Sequence, residues 1–294
     1  MFTSVDHIIV AVSDLDGATS DYRTLLGREP SWRGDHPGQG TANTLFRLGN
    51  GYLELLAATG EGGLGDLVRQ RIETSGEGIL GFALQCEDAA ACATTLRERG
   101  MSPTDPVDGS GKDEKTGAER RWRNVYLSPD ETRGVLIFAI EHQSPPDALP
   151  DAVPTHGDEG AVRDFDHIVV MTKDADGARE LYGDRFGIRM ALDKTFEKFG
   201  SRLVFFRLGG MSIEIGASLN EEPDPAAPDS LWGLAYRVRD VAATQARIAK
   251  AGLAVSEVRE GRKAGTLVCT AKEATHGVAT LLIGPDPGAE RTAH

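Results

Sequence analysis

The sequence is poor in several residue types, and each scarcity narrows the possible functions. Its 294 residues include 3 cysteines, and aromatic side chains make up 6% of the chain. Cys86, Cys92 and Cys269 lack the spacing of a metal-binding knuckle, so neither a disulfide framework nor a structural zinc site is predicted, and we expect buried free thiols. The apolar runs are only as long as strands, which argues against a membrane-spanning helix.

Positive charge is also scarce, because 32 Lys and Arg face 45 Asp and Glu and give a net charge of −13. This surplus repels phosphate backbones, so nucleic acid is not an expected partner. The first residues lack a basic region followed by an apolar helix, so we expect no secretory signal, a cytoplasmic location and no membrane partner. The predicted partner is a small-molecule substrate, bound by a monomer or a homodimer.

An internal repeat dominates the sequence. At a shift of 160 residues, without a gap, Asp6-His7-Ile8 aligns with Asp166-His167-Ile168, and Glu54 aligns with Glu214. Further along, the shift falls to 152 and then to 143 as loops shorten. We therefore predict one domain duplicated: an N-terminal domain over 1–142, a Pro-rich linker over 143–163, a C-terminal domain over 164–285 and a tail over 286–294.

Within each half, the hydrophobic pattern predicts a strand, a helix and further strands, twice over. In the first half, residues 5–12 have the β-branched composition of a strand, and apolar residues at three- and four-residue intervals over 15–26 predict a helix that ends at Gly27. Helices inserted between groups of antiparallel strands favour the α+β class. The glycine-rich stretch 60–65 is interpreted as a flexible tether, since it lacks the context of a phosphate-binding loop.

Two pairs of side chains repeat with the domains: His7 and Glu54 are 47 residues apart, as are His167 and Glu214. Because side chains alternate along a strand, each Glu is expected to point away from the apolar face into the space that the sheet encloses. Imidazole and carboxylate suit a divalent ion that keeps positions open for a substrate. The alternative is a duplicated, solvated Glu on the wet face of a strand.

At these residues a family resemblance appears. The segment Val5-Asp6-His7-Ile8-Ile9-Val10, with the later Leu53-Glu54-Leu55 and their second copies, resembles the vicinal oxygen chelate superfamily of glyoxalases, bleomycin-resistance proteins and extradiol dioxygenases. The resemblance implies four βαβββ modules in two tandem glyoxalase-like domains, each a curved, mostly antiparallel sheet around a groove. It also implies one divalent metal (Zn, Mn, Ni or Fe) in such a groove, with His7, Glu54, His167 and Glu214 as ligands.

The second and fourth modules depart from the family pattern, which would place ligands where this chain has Gly81, Gly233, Phe138 and Leu281. Two arrangements therefore stay open. Modules one and three face each other and form one four-ligand site, or each half holds a vestigial pair and the protein binds its ligand without metal.

The function that the resemblance implies is a metal-dependent lyase or isomerase acting on a small oxygenated molecule through an enolate or enediolate, with Glu54 or Glu214 as the base. One alternative is a metal-free binding protein of the bleomycin-resistance type, its grooves lined by Trp32, Trp122, Phe138 and Phe206. The other is an Fe(II) extradiol-type dioxygenase.

The strand Arg120-Arg121-Trp122-Arg123 has no counterpart in the second half. We predict that Arg121, Trp122, Arg123 and Phe138 bind the substrate, the cations holding an anionic group and the tryptophan a ring. A solvated edge strand is the alternative.

The remaining residues of interest receive structural interpretations. His276 is interpreted as a surface-loop residue, Trp232 as core or groove wall, and Arg47 and Arg207 as structural ion-pair partners. No role is predicted for His36, His142, His156 and His294, which fall in expected loops or tails.

Overall fold

The computed structural model describes residues 1–288, and each half of the chain forms a curved sheet of eight strands with helices on its outer face. This confirms the α+β class and the four tandem βαβββ modules. The elements of the first half are β1 (Phe2–Ala11), α1 (Leu15–Leu26), β2 (Trp32–His36), β3 (Thr41–Leu48), β4 (Gly51–Ala58), α2 (Gly63–Ser75), β5 (Gly78–Cys86), α3 (Ala89–Glu98), β6 (Val107–Asp113), β7 (Glu119–Tyr126) and β8 (Leu136–His142).

The second half repeats the plan after a short 3₁₀ turn (Pro146–Ala148). Its elements are β9 (Val162–Thr172), α4 (Ala175–Arg179) with a π-helical turn (Glu180–Arg185), β10 (Arg189–Phe196), a 3₁₀ turn (Glu197–Phe199), β11 (Ser201–Leu208), β12 (Met211–Ser218), β13 (Ser230–Val238), α5 (Val241–Lys250), β14 (Arg259–Glu260), β15 (Thr266–Ala271) and β16 (Ala279–Pro285). Of the predicted tail, residues 289–294 lie outside the described residues. No helix of residues 1–288 is long and apolar enough to cross a membrane.

The first sheet closes into a barrel with strand order β1-β4-β3-β2-β6-β7-β8-β5. Closure requires two contacts between modules, the antiparallel pairs β1–β5 and β2–β6. Modules one and two therefore enclose one interior, and the alternative in which modules one and three face each other is wrong. His7 and Glu54 belong to this barrel, while His167 and Glu214 belong to the other sheet.

The second sheet has the order β10-β11-β12-β9-β13-β16-β15-β14 and stays open between β10 and β14. Modules three and four meet through the antiparallel pair β9–β13. Strand β14 is only two residues long, so it does not reach the opposite edge strand β10. The second half consequently forms an open groove rather than a barrel.

Local sequence signals explain the predicted helix over 15–26, which is confirmed. The Asp14 side chain accepts a hydrogen bond from the Asp16 backbone N–H at its start, and Gly27 ends it with φ of 66°, a left-handed conformation that suits glycine. The helix buries Ala18, Tyr22 and Leu25 against the sheet. The outer, helix-covered faces of both sheets share one continuous apolar core.

The barrel has a second, interior core that helix α2 covers. Ile9, Leu56 and Ala83 pack there against Val68 of α2. Residues 63–65 of the stretch interpreted as a flexible tether form the first turn of this helix, so that interpretation is wrong. Among the described residues of the second half, no helix lies between β12 and β13, which agrees with the shorter repeat there.

The Pro-rich linker packs on the first half instead of extending into solvent. Leu149 is buried against Trp32, Leu45 and Tyr52, and the Arg47 guanidinium donates to the carbonyl oxygens of Pro146 (2.6 Å) and Leu149. The linker thus forms a wall at one end of the barrel. The three cysteines are buried and free, as predicted.

Candidate active site

His7 and Glu54 meet inside the closed barrel, on the parallel strands β1 and β4. The His7 Nε2 atom lies 3.6 Å from Glu54 Oε2, and its Nδ1 atom lies 2.7 Å from Asp6 Oδ2. Both residues are buried, with exposed fractions of 4% and 6%. Because Nδ1 is hydrogen-bonded to Asp6, the ring orientation is fixed and Nε2 points at Glu54.

Asp6 is shared between two imidazoles, since its Oδ1 atom also lies 2.8 Å from His142 Nε2. Burial disfavours the charged form of Asp6, but the hydrogen bonds from His142 and His7 outweigh this and hold the pKa of Asp6 well below its ordinary value. His142 is the last residue of strand β8 and belongs to the same hydrogen-bonded cluster as Asp6 and His7. The prediction that it lies in a loop or tail, apart from any such cluster, is wrong.

A second imidazole approaches Glu54 from the other side. His36, the last residue of β2, places its Nε2 atom 3.8 Å from Glu54 Oε1. Asn43 on β3 donates through Nδ2 to the same oxygen at 2.7 Å, and its own Oδ1 atom is buried without a hydrogen-bond partner among the described residues. His36 was assigned to a loop from the sequence. Its placement on a strand that faces the interior brings it into the site.

Aromatic rings form the walls around this cluster. Tyr52 stacks on His7 at a centroid distance of 4.6 Å, Phe138 meets it edge-on at 5.7 Å, and Trp122 lies 6.1 Å from His36. Two of the residues predicted to bind substrate, Trp122 and Phe138, therefore border the His7–Glu54 cluster. Whether they contact a substrate stays a prediction.

The other two predicted substrate-binding residues lie outside the barrel. Arg121 and Arg123 are exposed and pair at the surface with Glu119 (3.7 Å) and Asp108 (3.3 Å). Arg120 is the inward cation: it is 6% exposed, and its guanidinium carbon lies 5.2 Å from the centre of the Tyr52 ring. Alternation along this strand gives the interior face to Arg120, which the sequence alone did not single out.

The second groove repeats half of this arrangement. His167 Nδ1 lies 2.8 Å from Asp166 Oδ1, and His167 Nε2 lies 3.4 Å from Glu214 Oε2. Burial raises the pKa of Glu214, with the charge of His167 opposing the shift. Burial also opposes ionisation of Asp166, but hydrogen bonds from His167 and Arg237 lower its pKa to about 2.

Two large apolar side chains of the second half are exposed, since Trp232 has 59% of its surface exposed and Phe199 has 52%. Trp232 is therefore not a core residue, and its alternative interpretation as groove wall stays a prediction. Phe206 packs at 5.8 Å against the ring of Tyr182 on the helix-covered face, and it does not line the groove.

His276 and Arg133, which occupy equivalent positions in the two halves, join the halves to each other. Arg133 pairs with Asp174 and Asp229 of the second half, and His276 lies 2.8 Å from Glu77 and 3.0 Å from Asp21 of the first. The interpretation of His276 as a surface-loop residue is therefore replaced by a role in this interface.

The donor chemistry around Glu54 fits a divalent ion. Two donors about 2.1 Å from one ion, at a tetrahedral angle, lie about 3.4 Å apart. The distances from His7 Nε2 and His36 Nε2 to the Glu54 oxygens, 3.6 and 3.8 Å, are close to this value. Both are longer than a hydrogen bond. As they stand, however, no three His, Cys, Asp or Glu side chains within residues 1–288 are placed to bind one ion. The second groove offers only His167 and Glu214.

Comparison with known families places this geometry in context. The model of the family described as "Glyoxalase-like domain" matches residues 5–161, more than half of the chain. The chain belongs to this family. A second model, "Glyoxalase/Bleomycin resistance protein/Dioxygenase superfamily", matches residues 166–270, so two glyoxalase-like domains of the vicinal oxygen chelate superfamily follow in tandem.

The glyoxalase-like chain has a curated relative and similar solved structures. It is 31% identical over 137 residues to the ethylmalonyl-CoA/methylmalonyl-CoA epimerase of Cereibacter sphaeroides, which covers 47% of this chain and 96% of the relative. A mutant of 4-hydroxymandelate synthase from Streptomyces coelicolor matches 97% of this chain and 93% of its own, with a TM-score of 0.68 and 16% identity. A hypothetical protein from Staphylococcus aureus matches 96% and 99%, with a TM-score of 0.65 and 12% identity. At these identities the structures support the shared two-domain fold alone.

Proposed function

We propose that this protein is a divalent-metal-dependent enzyme that converts a small oxygenated molecule through an enolate, in a reaction of the isomerase or lyase type. The observation that carries the proposal is the buried arrangement of Asp6, His7 and Glu54, in which one carboxylate orients an imidazole whose free nitrogen faces a second carboxylate across 3.6 Å. Carboxylate–histidine pairs of this kind orient metal ligands in many metalloenzymes.

In this proposal, His7 and Glu54 hold the ion, and His36 is a further imidazole within reach of Glu54 that can complete a set of about three protein ligands. A bound divalent ion would supply the positive charge that stabilises an enolate. Asp6 keeps the proton of His7 on Nδ1, so Nε2 stays available as a donor. Phe138 and Trp122 border the cluster and limit the access of water.

The relative supports the isomerase side of the proposal. An epimerase inverts one stereocentre, and for a malonyl thioester this is done most directly by removing and returning the proton beside two carbonyl groups. A carboxylate with a pKa shifted toward neutrality is suited to that task. Glu54, beside the proposed ion, is the candidate base in the barrel, and Glu214, whose pKa is raised by burial, is the candidate base in the separate groove of the second half.

A second candidate function is an Fe(II) dioxygenase, and His36 is the observation that favours it. With His36 included, the candidate metal ligands are the imidazoles of His7 and His36 and the carboxylate of Glu54. Non-haem Fe(II) oxygenases use a set of this composition. We rank it below the isomerase because the curated relative, at 31% identity, is an epimerase.

Elemental analysis of protein purified without chelator tests metal dependence. We expect about one divalent ion per chain, lost in His7→Ala and in Glu54→Gln but retained in His167→Ala. Protein that holds no ion after purification and takes up none of Zn, Mn, Ni or Fe on titration would contradict the proposal and favour the metal-free binding protein.

The reaction type is tested with methylmalonyl-CoA in deuterium oxide. An isomerase of the proposed kind incorporates deuterium at the carbon between the two carbonyl groups, as seen by mass spectrometry, and Glu54→Gln abolishes the incorporation. Oxygen consumption that depends on an added aromatic 2-oxo acid or catechol and on Fe(II), without deuterium incorporation, would support the dioxygenase instead.

A further inference from the structure

A cleft of about 540 Å³ lies at the end of the barrel where the linker packs, next to the His7–Glu54 cluster but separate from it. Its lining includes Asp6, Tyr52, Arg120 and His142 of the barrel and Leu149 of the linker. The volume falls within the usual range of small-molecule sites. Neither His7 nor Glu54 lines it, because the Tyr52 ring, stacked on His7, stands between them and the cleft.

Arg120 is the unusual group of this cleft. Its guanidinium is buried between the rings of Trp32 and Tyr52, at 5.7 and 5.2 Å from their centres. Throughout the described part of the chain, no carboxylate lies within 4.0 Å of it. The half-buried arginines Arg133 and Arg247 differ in this respect, because Arg133 pairs with a carboxylate and Arg247 donates to carbonyl oxygens.

The carboxylate that lines the cleft beside Arg120 is already engaged. Both oxygens of Asp6 are hydrogen-bonded to imidazoles, one to His7 and one to His142. Arg47, the other arginine of the cleft, is held by Asp151 at 3.2 Å and by linker carbonyls. The cleft therefore presents one buried guanidinium that, among residues 1–288, has no carboxylate partner of its own.

We propose that this cleft is a carboxylate-binding site in which Arg120 pairs with the carboxylate of a small organic acid. A buried, unpaired guanidinium is costly, and a planar carboxylate satisfies two of its N–H donors at once. The Trp32 and Tyr52 rings fix the plane of the guanidinium, and Tyr52 and Leu149, which line the cleft, supply an apolar surface for the body of the acid. The linker wall is peculiar to the first half, and the repeat has Lys263 where Arg120 stands, so the site is expected once per chain.

Binding of benzoate to the full-length, metal-stripped protein tests the site, with Trp32 as an intrinsic fluorescence reporter next to Arg120. We expect saturable quenching with benzoate and none with benzamide, which has the same shape but no charge. Arg120→Met should weaken benzoate binding at least tenfold, whereas Arg121→Met, the exposed neighbour on the outer face, should leave it unchanged.

Several results would overturn the proposal. These are equal affinity of Arg120→Met and wild type, equal binding of benzamide, or binding of inorganic phosphate in preference to benzoate. If Arg120→Met does not fold, as judged by circular dichroism, Arg120→Lys replaces it. That variant keeps the positive charge but cannot form the bidentate hydrogen bonds of a guanidinium, and we expect several-fold weaker binding of benzoate. Because the measurement uses protein without metal, its outcome is independent of the proposed enzymatic activity.

Discussion

The Nε atom of Arg133, in the first half, lies 3.0 Å from Oδ2 of Asp229 in the second half, and the Asp229 side chain is fully buried. The same guanidinium reaches Asp174 at 3.2 Å. A charge at such a depth is tolerated only because it is paired. The two repeats are therefore joined by an ion pair whose loss leaves a buried carboxylate without a partner.

We predict that Arg133→Met lowers the free energy of unfolding by about 3 to 5 kcal/mol, since it leaves Asp229 charged and unpaired. Denaturant unfolding measures the effect. Arg123→Met removes an exposed ion pair and should cost about 1 kcal/mol at most. The double variant Arg133→Met/Asp229→Asn should be more stable than Arg133→Met; equal stability would contradict the explanation.

The cost of Arg133→Met should also depend on pH. Burial already raises the pKa of Asp229, opposed by the hydrogen bonds from Arg133 and Thr172. Without Arg133, the folded-state pKa rises further above the unfolded one. A carboxylate with a raised folded-state pKa destabilises the fold fully above that pKa. The penalty shrinks as the pH falls below the folded-state pKa and is gone below the unfolded-state pKa. The difference between variant and wild type should shrink as the pH is lowered from 7 toward 4, and a constant difference would argue against Asp229.

Gly109 on β6 makes room for Trp122 inside the barrel. A Cβ atom at this position would lie 2.3 Å from Trp122 Nε1, which the bulky indole cannot easily avoid. We predict that Gly109→Ala lowers the free energy of unfolding by about 1 to 3 kcal/mol through this clash. Gly63→Ala at the start of α2, where nothing lies within 4 Å, should be neutral or slightly stabilising. Unchanged stability of Gly109→Ala would show that the indole moves without cost.

The duplication allowed the fold to be predicted. An ungapped match at a shift of 160 residues, through strands and loops, indicated the number of modules, and apolar periodicity with Gly27 indicated the first helix. Helix α2 could not be found that way, because its Gly-Leu-Gly start is typical of a loop. The packing of Val68 on the barrel interior stabilises it, and such tertiary contacts are invisible to local propensity.

The candidate site was predicted only in part, for two physical reasons. His36 ends the short strand Trp32–His36, whose Gly and Asp residues hide any alternation. Along Arg120–Arg123 the alternation is present, but a pattern of period two does not say which phase faces inward, and a shift of one residue exchanges the faces. For Arg120 the sequence did contain the needed information. Trp122 and Phe138 were predicted to line the groove, and Arg120, two residues before Trp122, lies on the same face of the strand.

Asp6 should tune metal binding through His7. We predict that Asp6→Asn weakens metal affinity by about 10- to 100-fold, because the amide no longer enforces the proton on Nδ1 that leaves Nε2 free. Competitive titration with a chromogenic chelator measures the affinity. Asp166→Asn, the equivalent change in the open groove, should leave the affinity of the barrel site unchanged. Equal losses in both variants would mean that the two pairs are coupled.

His36 provides the sharpest test of how the barrel holds an ion. Its Nε2 atom faces one oxygen of Glu54 while His7 faces the other, so a third ligand is available from β2 and not from the second module. We predict that His36→Gln lowers metal affinity at least tenfold and changes the visible spectrum of the cobalt-substituted protein, because an imidazole is lost from the ligand set. His142→Gln is the matched control, since His142 contacts the Asp6 oxygen that does not bond to His7, and its loss should change the spectrum little. If His36→Gln leaves both the affinity and the cobalt spectrum unchanged, His36 is not a ligand, and Asn43, whose buried Oδ1 atom has no hydrogen-bond partner within residues 1–288, is the next donor to test.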